Sequence, residues 1–124
     1  MTSNSPPVVA GNAVTASTDT RGWFLGHFIA GENNPLRNAG VEVKWFTHAE
    51  GECRPQWSPA NEVRTLNILI RGRFVLLFPE REVLLEKEGA FVLFGPGIAH
   101  SYRSEKESLV LTVRWPSIPV APAG

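Results

Sequence analysis

The stretch GAFVLFGPGIAH, which spans residues 89–100, is the most informative part of this 124-residue chain. Glycine and proline are the strongest local markers of turns. The apolar run after Gly89 therefore predicts a short strand that ends in a tight turn at Pro96 and Gly97. His100 follows three residues after that turn and begins the next predicted strand. The stretch thus predicts two consecutive strands, with a histidine where the second one starts.

The rest of the chain repeats this pattern of short apolar segments between turn-forming residues. The segments are rich in Val, Ile, Leu and Phe, and no long window keeps the 3.6-residue apolar period of a helix. We therefore predict an all-β fold, either an antiparallel sandwich or a barrel. The predicted strands are Trp23–Ile29, Val41–His48, Val63–Ile70, Arg73–Phe78, Glu82–Glu86, Ala90–Phe94, His100–Arg103 and Leu109–Trp115.

Length and composition limit the class of protein. The chain has the size of one domain, and its 12 basic residues balance 12 acidic ones, which argues against binding nucleic acid through its phosphates. Its apolar runs are too short to span a membrane, and its first residues lack the pattern of a secretory signal. Cys53 is the one cysteine, so no internal disulfide is possible. We expect a cytoplasmic protein with a reduced thiol.

The composition divides the chain into three parts. Residues 1–20 form an N-terminal arm of mostly small and polar residues, which by itself has too little apolar surface to offset the entropy of ordering. Residues 21–115 form the predicted barrel domain. Residues 116–124 form a proline-rich tail, which cannot continue as a central strand.

The opening stretch resembles the second motif of the cupin superfamily, in which a glycine, a short apolar strand, a proline and a glycine precede a histidine. Gly95 stands where cupins often have another proline. Upstream, Gly51 and Gly72 resemble the glycines that open and close the first cupin motif. The resemblance covers roughly residues 40–115 and implies a single-domain cupin jelly-roll barrel.

The same resemblance changes the expectation for a metal. Metal-binding cupins carry a His-x-His pair and a Glu in the first motif and one His in the second. In this chain the pair positions hold Trp57 and Pro59, the Glu position holds Thr65, and a shift of one or two residues brings in no histidine. Only His100 remains, and open metal sites generally use about three protein ligands. The resemblance therefore implies a cupin that has lost its metal site and uses no cofactor.

Strand alternation predicts which side chains line the barrel. If Thr65 faces inward, as its motif position implies, Asn67 faces inward too, and Tyr102 shares the face of His100. Trp57 either fills the volume of the lost metal or stacks on a ligand. Such convergent polar groups beside aromatic surface are typical of a small-molecule site.

The last strand leaves an alternative open. Alternation places Thr112 and Arg114 on one face and Leu111 and Val113 on the other, without indicating which face is inside. If the first face is inside, Arg114 adds a fixed cation suited to a carboxylate or phosphate. The predicted ligand-binding residues are Trp57, Thr65, Asn67, His100, Tyr102 and Arg114.

A further histidine, His48, is predicted to lie outside the barrel interior. His48 shares a strand face with the charged residues Glu42 and Lys44, so we expect it to face solvent. The alternative to a lost metal site is one rebuilt from His48, Glu50 or Glu52 together with His100.

Three functions fit these features. The first is a metal-independent cupin that binds a small organic molecule with an apolar or aromatic body and a polar or anionic handle. The second is a metal-free isomerase, epimerase, cyclase or lyase, with His100 as general acid or base and Tyr102 as its proton partner. The third is a structural or protein-interaction cupin whose barrel is filled. We expect a homodimer with no membrane or nucleic-acid partner, and whether the protein is an enzyme stays open.

Overall fold

A computed structural model of the chain describes residues 8–58 and 61–119. Its elements are α1 Ala13–Ala16, β1 Trp23–Leu25, β2 Glu42–His48, β3 Arg64–Arg71, β4 Phe74–Phe78, β5 Arg81–Leu85, β6 Phe91–Phe94, β7 Ser101–Ser104 and β8 Ser108–Trp115. Every predicted strand is present. β1 ends before its predicted boundary because the chain turns at His27 and Phe28, directly after Gly26, where a side chain would clash with the ring of Phe28. In the part of the chain that the structure describes, no helix is long and apolar enough to span a membrane.

The strands form two antiparallel sheets, which confirms the prediction of an all-β fold. The larger sheet has five strands in the order β1-β2-β8-β3-β6, and the smaller has three in the order β5-β4-β7. In the larger sheet Asn67 on β3 pairs with Thr112 on β8, and Thr112 pairs on its other side with Lys44 of β2. These three residues therefore lie in one row across the sheet and point to the same face.

The inner face of the larger sheet changes from polar to apolar along its strands. On β3 the buried residues alternate with less buried ones, and they are Thr65, Asn67 and Leu69. Leu69 is fully buried and packs in the apolar core, whose other buried members are Phe74, Leu76, Leu85 and Val110. The interior thus has an apolar end around Leu69 and a polar end around Thr65 and Asn67.

The turn from β3 to β4 requires a glycine. Gly72 has a φ of +114°, and a Cβ there would lie 2.5 Å from the carbonyl oxygen of Glu107. Both the backbone conformation and the close approach exclude a side chain. This turn leads into β4, whose Phe74 and Leu76 belong to the apolar core.

The outer face of the larger sheet is apolar and is most exposed at its β6 edge. Phe91 and Leu93 of β6 are 66% and 54% exposed, and they pair with Ile68 and Leu66 of β3. The next strand continues the row with Val113, which pairs with Leu66. Leu66, Ile68 and Val113 are partly buried.

Candidate functional site

A cavity of about 210 Å³ lies at the polar end of the interior. Five of the predicted residues line it: Thr65, Asn67, His100, Tyr102 and Arg114. They come from both sheets and from the bridge that precedes β7, so the fold brings together residues that are far apart in the chain. The volume matches that of about seven water molecules in the liquid.

Trp57 is not one of the lining residues, so its predicted position inside the barrel is wrong. The neighbouring Ser58 donates its backbone N–H to the carbonyl of His100 at 2.8 Å and is buried. Because successive residues of an extended segment point to opposite sides, Trp57 points outward and is 43% exposed. It fills no interior volume. Pro59, the other matched position, lies outside the described residues.

The sequence did not indicate which face of β8 is the inner one, and the structure decides it. Thr112 and Arg114 point inward, and the Thr112 hydroxyl donates to the Oδ1 of Asn67 at 2.7 Å. The buried amide of Asn67 thus has a partner from the neighbouring strand, as a polar group in an apolar run needs.

Arg114 brings a partly compensated cation to the cavity. Its Nη1 lies 3.5 Å from the buried carboxylate of Glu42, while its Nε has no hydrogen-bond partner among the described residues. The guanidinium also lies against the ring of Trp23, with Cζ 5.6 Å from the ring centroid. Burial lowers the pKa of Arg114, although a guanidinium stays protonated at neutral pH.

A second arginine, Arg54, lies in the segment between β2 and β3 and also lines the cavity. Its guanidinium donates to the hydroxyl of Ser58. No acidic residue is among those that line the cavity in the described part of the chain. The charged groups of the lining are therefore basic, and the carboxylates that contact it are those of Glu42 at Arg114 and Glu52 at Tyr102.

His100 is neutral in this environment. Burial, followed by the positive charges of Arg54 and Arg114, lowers the pKa of His100 to about 4. Its Nδ1 has no hydrogen-bond partner among the described residues. The ring is therefore an uncharged polar group at neutral pH.

Tyr102 belongs to a hydrogen-bonded chain that the sequence did not reveal. Its hydroxyl donates to Glu52 Oε2 at 2.8 Å, and the Nδ1 of His48 lies 2.5 Å from the same oxygen. Burial and then the Glu52 carboxylate raise the pKa of Tyr102 to about 12. Partial burial acts to raise the pKa of Glu52, but the hydrogen bonds from His48 and Tyr102 outweigh it and lower that pKa.

The expectation that His48 faces solvent is wrong. The residue is only 4% exposed, and burial lowers its pKa despite the hydrogen bond to Glu52. The reason is that the charged face of β2 is the inner one. Lys44 on this face lines the cavity as well. Sequence alternation detected both faces of β2 but assigned the charged one to solvent.

The residues that line this cavity do not fit the metal ion that metal-binding cupins hold. His100 is the one matched ligand, and the same cavity is lined by the cationic side chains Lys44, Arg54 and Arg114, which repel a metal ion. Among the described residues no group of three or more His, Cys, Asp or Glu side chains is placed to hold a metal.

Comparisons with known proteins identify the fold. No protein-family model and no curated protein matches the chain. Among solved structures, a cupin superfamily protein from Desulfitobacterium hafniense is 17% identical with a TM-score of 0.58, over 71% of this chain and 83% of the other. A cupin 2 conserved barrel domain protein from Salinispora arenicola is 19% identical with a TM-score of 0.55, over 71% of each chain. A cupin-2 domain containing protein from Shewanella frigidimarina is 14% identical with a TM-score of 0.51, over 68% of this chain and 72% of the other.

The chain therefore has the cupin fold, as the motifs around Gly72 and His100 predicted. At these identities the likeness is one of fold alone. What the cavity binds has to be inferred from its own residues.

Proposed function

We propose that this protein binds a small organic anion in the cavity at the polar end of its interior, without a metal. The observation that carries the proposal is the pair of arginines, Arg54 and Arg114, which line the cavity without an acidic lining residue among the described ones. A partly buried cation is costly unless it is paired. Glu42 reaches Arg114 through Nη1 alone, so the Nε of Arg114 and the guanidinium of Arg54 both lack an acidic partner among the described residues. A bound carboxylate offsets that cost and forms charge-assisted hydrogen bonds.

The remaining walls and the volume narrow the ligand further. Trp23, Phe74 and Leu76 give one side of the cavity an apolar surface. The volume of about 210 Å³ is smaller than that of sites for drug-sized ligands, which begin at about 300 Å³. The proposed ligand is therefore a compact acid with a short apolar body and one carboxylate directed at Arg114.

Thermal unfolding with small acids and their neutral amides tests this proposal. Benzoate, propionate and pyruvate are compared with benzamide and propionamide, in the native protein and in Arg114→Gln. Ligand at about 100 times its Kd stabilises the folded state by about 2.7 kcal/mol, which is a measurable rise in Tm. We expect the acids but not the amides to raise the Tm of the native protein, and Arg114→Gln to lose the response.

The matched control is Arg37→Gln, which removes an exposed arginine that does not line the cavity. This variant should respond to the acids like the native protein. An equal response to acids and amides, or an unchanged response in Arg114→Gln, contradicts anion binding in this cavity.

Catalysis by His100 and Tyr102 is less well supported by the same geometry. A base whose pKa is about 4 accepts a proton weakly at neutral pH, and a phenol whose pKa is about 12 releases one reluctantly. The Tyr102 hydroxyl is also engaged with Glu52. For these reasons we propose binding ahead of acid–base catalysis by this pair.

We also propose that the protein is a homodimer whose subunits stack through the outer faces of their larger sheets. Leu66, Ile68, Phe91, Leu93 and Val113 make this face apolar, and its central rows carry no charge. Two copies of such a face can pack without burying a charged group. A partner with a charged surface would instead have its charged groups removed from water against apolar side chains.

The oligomeric state tests this second proposal. We expect sedimentation analysis to find a dimer for the native protein and a monomer for Leu93→Glu. The control is Leu84→Glu, which places the same charge at a leucine that is 40% exposed on the smaller sheet and should leave the dimer intact. A monomeric native protein contradicts the proposal.

A further inference from the structure

Lys44 is a partly buried cationic side chain of the cavity lining. It lies on the inner face of β2, lines the cavity and forms no ion pair with any described residue. Its Nζ lies 4.8 Å from the ring centroid of Phe46 and 5.7 Å from that of Trp23. Aromatic faces therefore position this amine, and they leave its nitrogen free of a hydrogen-bonded carboxylate.

The surroundings of Lys44 favour the neutral amine. Burial has the largest effect and the charge of Arg21 adds to it. The Glu52 carboxylate acts in the opposite direction, but with the further charges of Arg114 and Arg54 the pKa of Lys44 falls to about 8. About half of the molecules then carry a nucleophilic amine at pH 8. A lysine with the ordinary pKa of about 10.4 has only about 0.4% in that form at the same pH.

Lys44 and Arg114 are close neighbours in the sheet. Lys44 pairs with Thr112, and Arg114 follows two residues further along the same strand on the same face. Both cations lie against the ring of Trp23. A carboxylate held by Arg114 therefore places the rest of a short ligand beside the amine.

We propose that Lys44 forms a reversible Schiff base with a small carbonyl acid, such as a 2-oxo acid or an aldehyde acid, whose carboxylate is held by Arg114. The inference rests on the proposed anion site and adds the chemical class of its ligand. The lone pair of Nζ adds to the carbonyl carbon, and a proton passes from nitrogen to oxygen to give a carbinolamine. Loss of water then forms the C=N bond, so the step needs no oxidant or reductant.

Reductive trapping tests the proposal on the native protein. The protein is incubated at pH 8 with glyoxylate and sodium cyanoborohydride, which converts a Schiff base into a stable carboxymethyl-lysine that peptide mass spectrometry locates. The chain has two other lysines, Lys87 and Lys106, and both are exposed, so they serve as internal references. We expect labelling of Lys44 to be at least about tenfold faster than that of either reference, because its neutral fraction is about 100-fold larger than that of a lysine with the ordinary pKa.

A parallel reaction with acetaldehyde, which lacks the carboxylate, separates the two proposals. We expect the preference for labelling Lys44 to be smaller with acetaldehyde than with glyoxylate. We also expect Arg114→Gln to reduce the labelling of Lys44 by glyoxylate, whereas Arg37→Gln should not. Acids that raise the Tm without preferential labelling of Lys44 overturn the Schiff base and leave the anion site standing. Equal labelling by acetaldehyde and glyoxylate overturns the carbonyl-acid ligand, and the absence of both labelling and a Tm response overturns both proposals.

Discussion

Acidification should destabilise this protein through His100. The folded state holds the pKa of His100 at about 4, whereas the unfolded chain has the ordinary value of about 6.5. Between these two values the unfolded state binds a proton that the folded state does not. The stabilisation linked to His100 is therefore fully present above about pH 6.5 and is lost as the pH falls towards 4.

The difference of about 2.5 pKa units sets the size of the effect. At pH 4 it corresponds to a loss of about 3 kcal/mol in the free energy of unfolding. This is an upper value, since the ring of His100 keeps some exposure. It is nevertheless a large part of the stability of a domain of this size, which is about 5–15 kcal/mol.

Urea unfolding at a series of pH values, followed by tryptophan fluorescence, measures this loss. His100→Gln removes the titrating ring, while the carboxylates and His48 titrate in both proteins and cancel in the comparison. We expect the native protein to lose about 3 kcal/mol more than the variant between pH 7 and pH 4. The same pH dependence in both proteins refutes the reasoning, as does an NMR titration in which the His100 ring protonates near pH 6.5.

Three further predictions concern stability and use the same urea assay. Leu69→Ala should cost about 2–5 kcal/mol because Leu69 is fully buried in the core, while Leu84→Ala at an exposed site should cost about 0.5 kcal/mol; similar costs would place the core elsewhere. Gly72→Ala should cost about 1–3 kcal/mol more than Gly51→Ala, because both glycines have positive φ but only Gly72 is crowded by the chain at Glu107; equal costs would mean that this turn is open. Thr112→Val should cost about 1–3 kcal/mol by leaving the buried Asn67 amide without its donor, whereas the exposed Thr47→Val should change stability by about 0.5 kcal/mol; no loss in Thr112→Val would argue against that hydrogen bond.

The strands and their turns could be predicted from the sequence because their signals are local. Short segments rich in Val, Ile, Leu and Phe stand between glycines and prolines, and all eight predicted strands are found. The glycines matter at particular places. At Gly72 both a positive φ and a close carbonyl oxygen require the absence of a side chain, which is why a glycine there marks the motif.

The cavity could be predicted only in part. The period of two along β3 placed Thr65 and Asn67 on one face, and His100 and Tyr102 followed from the motif and the same alternation. All four line the cavity, but alternation identifies two faces without saying which is inside. That decision was left open for Arg114 and was wrong for His48 on β2.

Several lining residues were missed because they are long, charged side chains that usually face solvent. Lysines and arginines lie at the surface in most proteins, and nothing near Lys44 and Arg54 in the sequence indicates that they are buried. Trp57 was placed inside because it occupies a position that matches a metal ligand of the first cupin motif. The backbone pairing of Ser58 with His100 turns Trp57 outward instead.

The sequence by itself determined the all-β class, the strand segments, the turns and the absence of the expected metal ligands from the matched positions. These features depend on backbone preferences and on residues a few positions apart. The tertiary structure alone decided that the charged face of β2 is the inner one and that Arg114 on β8 points into the cavity. The physical reason is that inside and outside are set by which sheet packs against which, and this depends on contacts between residues far apart in the chain.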